Sequence, residues 1–406
     1  MKILVLTTTF PRWKQDSTPS FIYEWSKRLQ EIGFEIVVLA PSHFGAKRFE
    51  IMDGMKVYRF PYFYPAKYQK LAYGGGILPS LRKSNLAKIQ VPFFFLSELY
   101  YALKVVRKEN VDIIQSHWLI PGGLIGAICK KVFGKKHIST ELAAGLAALE
   151  ILPFKKVIFK FIIKNSDRLT VLSTYIRDKL ICLEGSEILN RKIVIIPLGI
   201  DLNTYKQNNN KLLLKKKYNI KSKNVILFIG RIVEKKGVKY LIKAMPKILL
   251  KYPDTELIIC GDGPLRTELE NLTKNMDLDN CIRFAGYVSN ENIKIEYLSL
   301  SDILVVPSVS TKNKDTEGLG VVILEGLATG TAVIASDIGG ITDIIIDGFN
   351  GFLVKPESSE DIEQKVVKIL QDEMLKRKFK ENGLRTVQEK FSWNIVINSL
   401  KDIYYN

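Results

Sequence analysis

Short β-rich apolar runs alternate with helix-spaced segments from one end of this chain to the other, and the alternation breaks once, near the middle. Lys2–Leu6 is the first such run. Residues 20–32 come next, with Phe21, Trp25, Leu29 and Ile32 at helical spacing and Gly33 as the stop, and then a strand at 35–40. That is a β-α-β unit. Residues 111–115, 136–139, 168–172 and 192–196 repeat the strand theme, with helical segments between them. Ile113-Ile114 and Val194-Ile195-Ile196 are apolar at successive positions, as a strand covered on both faces requires. The pattern predicts an α/β fold with helices on both sides of a parallel sheet. At Pro197-Leu198-Gly199 and the polar stretch 206–210 it fails, and then restarts. The second series predicts strands at Asn224–Ile229, 256–260, 282–285, Ile303–Val306, 332–335 and 351–354. Helices are expected at 237–251, 265–276, 292–300 and 320–328. The last stretch, 358–406, reads as helix with one break near Phe391-Ser392.

A length of 406 residues suits two such domains better than one. The predicted division is 1–200 and 201–391, with a final helix at 392–406. The opening MKILVLTTTF is too short an apolar run for a signal segment and reads as a first strand. No uninterrupted apolar run reaches 18 residues; the nearest, 91–106, is broken by Glu98 and Lys104, so a spanning helix is not expected. Cys129, Cys182, Cys260 and Cys281 are scattered, without disulfide or zinc spacing, which points to a reducing, cytoplasmic setting. The net charge is +18. Residues 1–200 hold 30 basic and 15 acidic side chains, so +15 of it lies in the first half. Such a bias suggests an anionic partner.

Ligands of open α/β sheets bind beyond the carboxyl ends of strands. After 224–229 comes Gly230-Arg231-Ile232-Val233-Glu234-Lys235-Lys236-Gly237. Arg231 and Lys236 beside a helix start can clamp a diphosphate; a solvated basic loop has the same composition. Gly261-Asp262-Gly263-Pro264 is either a close approach for a nucleotide or a tight turn. After 303–306, Pro307-Ser308 leads to Glu317-Gly318-Leu319-Gly320 and a helix carrying Glu325. One acid could bind sugar hydroxyls near a phosphate on the helix amides, the other a ribose diol. The alternatives are a charge complementing the helix dipole and a surface helix Glu. His117, at a strand end before Trp118 and Pro121-Gly122-Gly123, is a substrate contact or a core histidine. Asp277-Leu278-Asp279 reads as a turn, and no metal-ligand set is expected.

These residues, with Phe284-Ala285-Gly286-Tyr287-Val288 and Gly339-Gly340-Ile341-Thr342-Asp343, resemble the family-4 retaining glycosyltransferases over about 150 residues in order and spacing. Ile195-Ile196-Pro197-Leu198-Gly199-Ile200-Asp201 resembles the family's hinge, with Leu198 where Asn is usual. The resemblance implies the GT-B architecture: two Rossmann-like doubly wound domains facing across a cleft, with the C-terminal helix crossing back to the first domain. It implies a nucleotide-diphosphate sugar donor, UDP- or GDP-linked, and transfer with no metal. Arg231 and Lys236, next to Gly230, would hold the diphosphate. Glu317 with Gly318, Leu319 and Gly320 would hold the sugar and distal phosphate. Glu325 would take the ribose, Gly286 to Val288 the base, and His117 would reach the donor sugar.

Departures fall in the first half. The family's Gly-Gly loop reads Asp16-Ser17-Thr18-Pro19-Ser20, its T-x-H-G-x-D stretch reads Thr140-Glu141-Leu142-Ala143-Ala144-Gly145, and its HxH reads Gln115-Ser116-His117. At the GGxxE position Asp343 replaces Glu. A sugar-nucleotide-binding pseudoenzyme and a GT-B epimerase or phosphorylase therefore stand as alternatives. Lys155, Lys156, Lys160 and Lys164 on an otherwise apolar helix, with the aromatic segment 91–101, suggest a patch for an anionic membrane at the inner face of the cell membrane. A solvated basic surface is the plainer reading. A glycan, lipid-linked or phosphorylated acceptor is expected; nucleic-acid binding rests on charge alone and is not.

Overall fold

The computed structural model describes residues 1–14, 16, 21–206, 210–311 and 315–405. Residues 17–20 of the loop after the first strand, and 207–209 of the polar stretch, fall outside that set, as does the start of the helix expected from residue 20. The chain forms two compact units. One is Met1–Ile196 together with the chain from Ile397 onward; the other is Pro197–Val396.

The first unit is built on an eight-stranded sheet: β1 Lys2–Leu6, β2 Glu35–Pro41, β3 Phe49–Met52, β4 Met55–Phe60, β5 Ile113–His117, β6 Lys136–Glu141, β7 Arg168–Val171 and β8 Ile193–Ile195, in the order β3-β4-β2-β1-β5-β6-β7-β8. β1 lies between β2 and β5, with Ile3 opposite both Ile36 and Ile113. All neighbours are parallel except β3 and β4. That antiparallel pair has no counterpart in the expected strands. Its turn is Asp53-Gly54, both at positive φ, which suits a tight hairpin. His117 closes β5 instead of lying beyond it. Successive residues of β1 and β5 are buried, as double-sided coverage demands.

Helix Asn85–Glu109 packs Phe94, Ala102, Val105 and Val106 onto this sheet with Leu4, Leu39 and Ile114. Its length and composition alone would suit a membrane span, and about a third of its most apolar stretch is buried in the unit. The end of helix Trp393–Tyr405 also belongs here. Tyr404 is buried, its hydroxyl donates to Gln115 Oε1 at 2.5 Å, and its carbonyl accepts from Lys136 Nζ at 3.1 Å.

The second unit has a six-stranded, all-parallel sheet: β9 Asn224–Ile229, β10 Thr255–Cys260, β11 Ile282–Gly286, β12 Ile303–Val306, β13 Ala332–Ser336 and β14 Phe352–Val354, ordered β11-β10-β9-β12-β13-β14. Helix Val238–Lys251 buries Leu241, Ile242, Met245 and Ile248 on it. Burying each such side chain contributes roughly 1.5–3 kcal/mol. The expected single break in the C-terminal helix is two. Asp372 interrupts it as well, because its side chain caps Leu375 N at 2.9 Å and starts a new helix, Glu373–Thr386. The Pro197-Leu198-Gly199 segment packs on Trp393, where a Cβ at Gly199 would lie 2.5 Å from the indole.

Candidate functional site

In the second unit β9 and β12 are neighbours, yet the chain leaves them toward opposite sides, to β10 and β11 on one and to β13 and β14 on the other. Loops diverging from such a switch point open a crevice at the carboxyl ends of the strands. Two loops border it, 230–237 after β9 and, after β12, the segments 307–311 and 315–320.

Several contacts hold the loops together. Lys236 Nζ lies 2.6 Å from Glu317 Oε2, and Ser308 Oγ is 3.4 Å from the same oxygen. Lys235 Nζ meets Asp315 Oδ1 at 3.1 Å, and Val309 N donates to Lys235 O. Burial pushes the Glu317 carboxyl up; the Lys236 and Lys235 ammonium groups outweigh it, and the group sits below the usual carboxylate range. Gly237 has φ +60°, and a Cβ there would lie 1.9 Å from the Pro307 carbonyl oxygen. Only glycine lets the backbones approach so closely. Gly339, also at φ +60°, stands in the same relation to the Glu317 carbonyl, at 2.2 Å, and Gly340 N donates to that oxygen at 3.0 Å. The Gly339-Gly340 pair therefore seats the Glu317 backbone.

Arg231 is exposed on the β9 loop and has no ion pair among the described residues. Its loop rests on the Gly261–Gly263 turn. Ile232 N donates to Asp262 O at 2.8 Å, and a Cβ at Gly261 would lie 1.9 Å from the Gly230 oxygen. Those glycines thus have a packing reason. Gly318, Leu319 and Gly320 are buried, and Gly320 (φ +89°) starts helix Val321–Ala328. Gly286 (φ +77°) ends β11, followed by exposed Tyr287 and half-buried Val288.

Glu325 is buried within a different cluster. Its Oε1 accepts from Lys294 Nζ at 2.6 Å and from the Tyr205 hydroxyl at 2.9 Å; Tyr205 also reaches Glu291 at 2.8 Å. A phenol has one hydrogen, so Tyr205 serves the two carboxylates only in turn. Burial, then Glu325 and Glu291, raise its pKa, and it stays neutral. Lys236 and Glu317 are thus in contact, while Glu325 answers to Lys294 and Tyr205.

In the first unit the switch point lies between β1 and β5, where His117 ends β5. His117 is the residue expected from the sequence to reach a donor sugar. Its ring is fully buried, edge-on to Trp25 at 5.8 Å, and neither ring nitrogen has a hydrogen-bond partner among the described residues. Burial pulls its pKa down to about 3, so it is neutral. Glu141, at the end of β6, is also fully buried and accepts from Leu119 N at 2.9 Å and Gly145 N at 3.0 Å. Burial raises its pKa to about 7 against those amides. Asp277 sits at φ +56° in a turn, as read from the sequence.

Residues 210–386 match the family model "Glycosyl transferases group 1", and residues 19–204 match "Glycosyltransferase Family 4". An uncharacterized glycosyltransferase of Methanocaldococcus jannaschii is 30% identical over 79% of this chain and 82% of its own length. The chain belongs to the group 1 glycosyltransferases. The UDP-Gal:alpha-D-GlcNAc-diphosphoundecaprenol alpha-1,3-galactosyltransferase of Escherichia coli is 27% identical over 76% of this glycosyltransferase and 79% of its own length. Anabaena HepE, solved in complex with UDP, shares the fold at 16% identity and a TM-score of 0.75, covering 100% of both chains. The two-Rossmann, GT-B fold class read from the sequence is that of these relatives.

Sequence reasoning passed over Tyr205 and Lys294 in this glycosyltransferase. Tyr205 lies in the segment read as a linker, and Lys294 in the first turn of a surface helix, so neither spacing nor composition marked them.

Proposed function

We propose that this glycosyltransferase moves a sugar from a nucleotide-diphosphate donor, UDP- or GDP-linked, to a hydroxyl of a glycan, lipid-linked or phosphorylated acceptor, keeping the anomeric configuration and using no metal. The observation that carries this reading is the Lys236–Glu317 pair joining the two loops at the β9/β12 switch point, with Arg231 exposed beside it. A diphosphate arriving there meets one free guanidinium and one ammonium that can exchange Glu317 for a phosphate oxygen. Preorganised cations stabilise the charge that builds on the leaving diphosphate better than reorienting water does. Glu317, relieved of Lys236, then faces the sugar hydroxyls as an acceptor, with Gly318, Leu319 and Gly320 offering backbone amides. Glu325 has Oε2 left for a ribose hydroxyl, and Gly286 to Val288 border the base. The departing phosphate takes the acceptor's proton, so no side-chain nucleophile is assigned.

The UDP complex of HepE and the UDP-Gal donor named for the E. coli relative support a uridine donor; that relative's polyprenol-linked acceptor supports a lipid-linked one. A cytoplasmic location at an anionic membrane face is part of the proposal. Helix Asn85–Glu109 presents Ile89, Phe93, Leu96 and Tyr100 to solvent along one side, and Lys156, Lys160 and Lys164 are exposed on helix Lys155–Lys164. A thermal-shift screen against UDP-, GDP- and ADP-sugars identifies the donor by the ligand that stabilises the fold. Product analysis with a lipid extract, with and without chelator, tests the rest. An inverted linkage or a metal requirement would overturn it.

A further inference from the structure

The edge of the first unit's sheet opposite its switch point carries a cavity of about 540 Å³ lined by Lys130, Gly134, Lys136, Asp167, Arg168 and Lys192. Lys136 opens β6, Arg168 opens β7 and Lys192 immediately precedes β8, so three adjacent strands each bring a cation to one place at their amino ends. Lys130 comes from the end of helix Leu124–Phe133. Four cations face one carboxylate.

How each cation is satisfied matters. Lys130 Nζ pairs with Asp167 Oδ1, whose other oxygen accepts His137 N at 2.8 Å. Lys192 Nζ donates to the carbonyls of Ile163 at 2.8 Å and Ser166 at 2.6 Å, Lys136 Nζ to that of Tyr404, and Arg168 Nη1 to that of Asp167 at 3.3 Å. Carbonyls accept hydrogen bonds and leave the charge uncompensated. Burial lowers the pKa of Lys136 and of Lys192; the neighbouring cations add to this and Asp167 opposes it. A site that holds four cations against one carboxylate gains most from an anion bearing several negative oxygens.

We propose that this cavity binds a phosphate-class polyanion, a diphosphate or phosphomonoester group, at a place separate from the donor loops of the second unit. The group comes from a soluble metabolite or from a lipid headgroup, and the chemistry recognised is the same. The inference does not rest on the donor assignment.

The test is calorimetric titration of inorganic pyrophosphate into the full chain carrying Arg231→Ala and Lys236→Ala, which removes the two cations assigned to the donor diphosphate. Saturable binding is expected. Adding Arg168→Gln should weaken it at least about tenfold, whereas Arg168→Lys, which keeps the charge, should stay within about threefold. Circular dichroism melting of each variant shows that the fold survives; should Arg168→Gln not fold, Lys130→Gln takes its place. A parallel loss of binding to phosphatidylglycerol vesicles supports a headgroup source, and unchanged vesicle binding supports a soluble one. No pyrophosphate binding in the donor-site variant, or binding indifferent to Arg168→Gln, overturns the proposal.

Discussion

Lys236 Nζ and Glu317 Oε2 are 2.6 Å apart although 81 residues separate them in the chain. The contact exists because β9 and β12 are adjacent in the sheet and each turns into its loop at the same edge. Without ligand, the pair is a half-buried salt bridge with Ser308 as a third member. On the proposed function, a diphosphate would part the pair into a cation and an acid acting on different parts of one donor.

Glu317→Gln should keep the fold and lose turnover. The amide is the same size and still accepts a bond from Lys236, while the charge that orients the sugar hydroxyls is gone. We expect kcat/KM to fall by about 10²–10³-fold, with the melting temperature little changed. Steady-state rates with the donor found by screening, read beside a melt, check this; rates near wild type would remove Glu317 from the site.

Gly237→Ala should damage both stability and donor binding. The added methyl meets the Pro307 oxygen at 1.9 Å and forces an L residue to φ +60°. The cost is about 2–4 kcal/mol, and the loops separate at Lys236. Urea denaturation and donor titration measure the two effects.

Glu98 is fully buried on helix Asn85–Glu109 with neither carboxylate oxygen bonded among the described residues, and burial pushes its pKa from 4.5 to about 8. The folded value lies above the unfolded one, so the fold prefers the neutral acid. Stability from this group is intact below about pH 4.5 and is lost as pH rises toward 8. Between pH 6 and 8 the loss amounts to about 2 kcal/mol. Melts of wild type and Glu98→Gln across that range should diverge, with the variant less steep; Glu141, raised to about 7, leaves a smaller slope in both.

His117 works in the opposite direction. Its folded pKa, about 3, lies below the ordinary 6.5, and the unfolded chain takes up a proton that the fold refuses. Stability from this group is complete above about pH 6.5 and is lost as pH falls toward 3. His117→Phe keeps a ring against Trp25 and should flatten part of the acid limb of a stability–pH curve. Turnover at neutral pH should stay within about threefold. A hundredfold loss with an unchanged melt would return the ring to the donor.

Much of this is legible in the amino-acid order. The double alternation of runs carries the fold class, because strands buried on both faces must be apolar at successive positions. Arg231, Lys236 and Glu317 stand in loops just past strand ends, where ligands of such sheets bind. Three things are hidden, for different reasons. The Asp53-Gly54 hairpin has its turn signal, but β3 is an edge strand with exposed and half-buried residues and shows no apolar run. Tyr205 and Lys294 meet Glu325 only through tertiary packing, across 120 and 31 residues. The edge-on contact of His117 with Trp25 joins residues far apart in the chain, and a strand-end histidine looks the same in sequence whether it faces a ligand or a core.

The most direct test is calorimetric titration of the donor nucleotide sugar into wild type and into Arg231→Ala with Lys236→Ala. The wild type should bind saturably, and the double variant at least about 100-fold more weakly, a loss of about 2.7 kcal/mol. Equal affinity in the two proteins would contradict the assignment of the donor diphosphate to these loops.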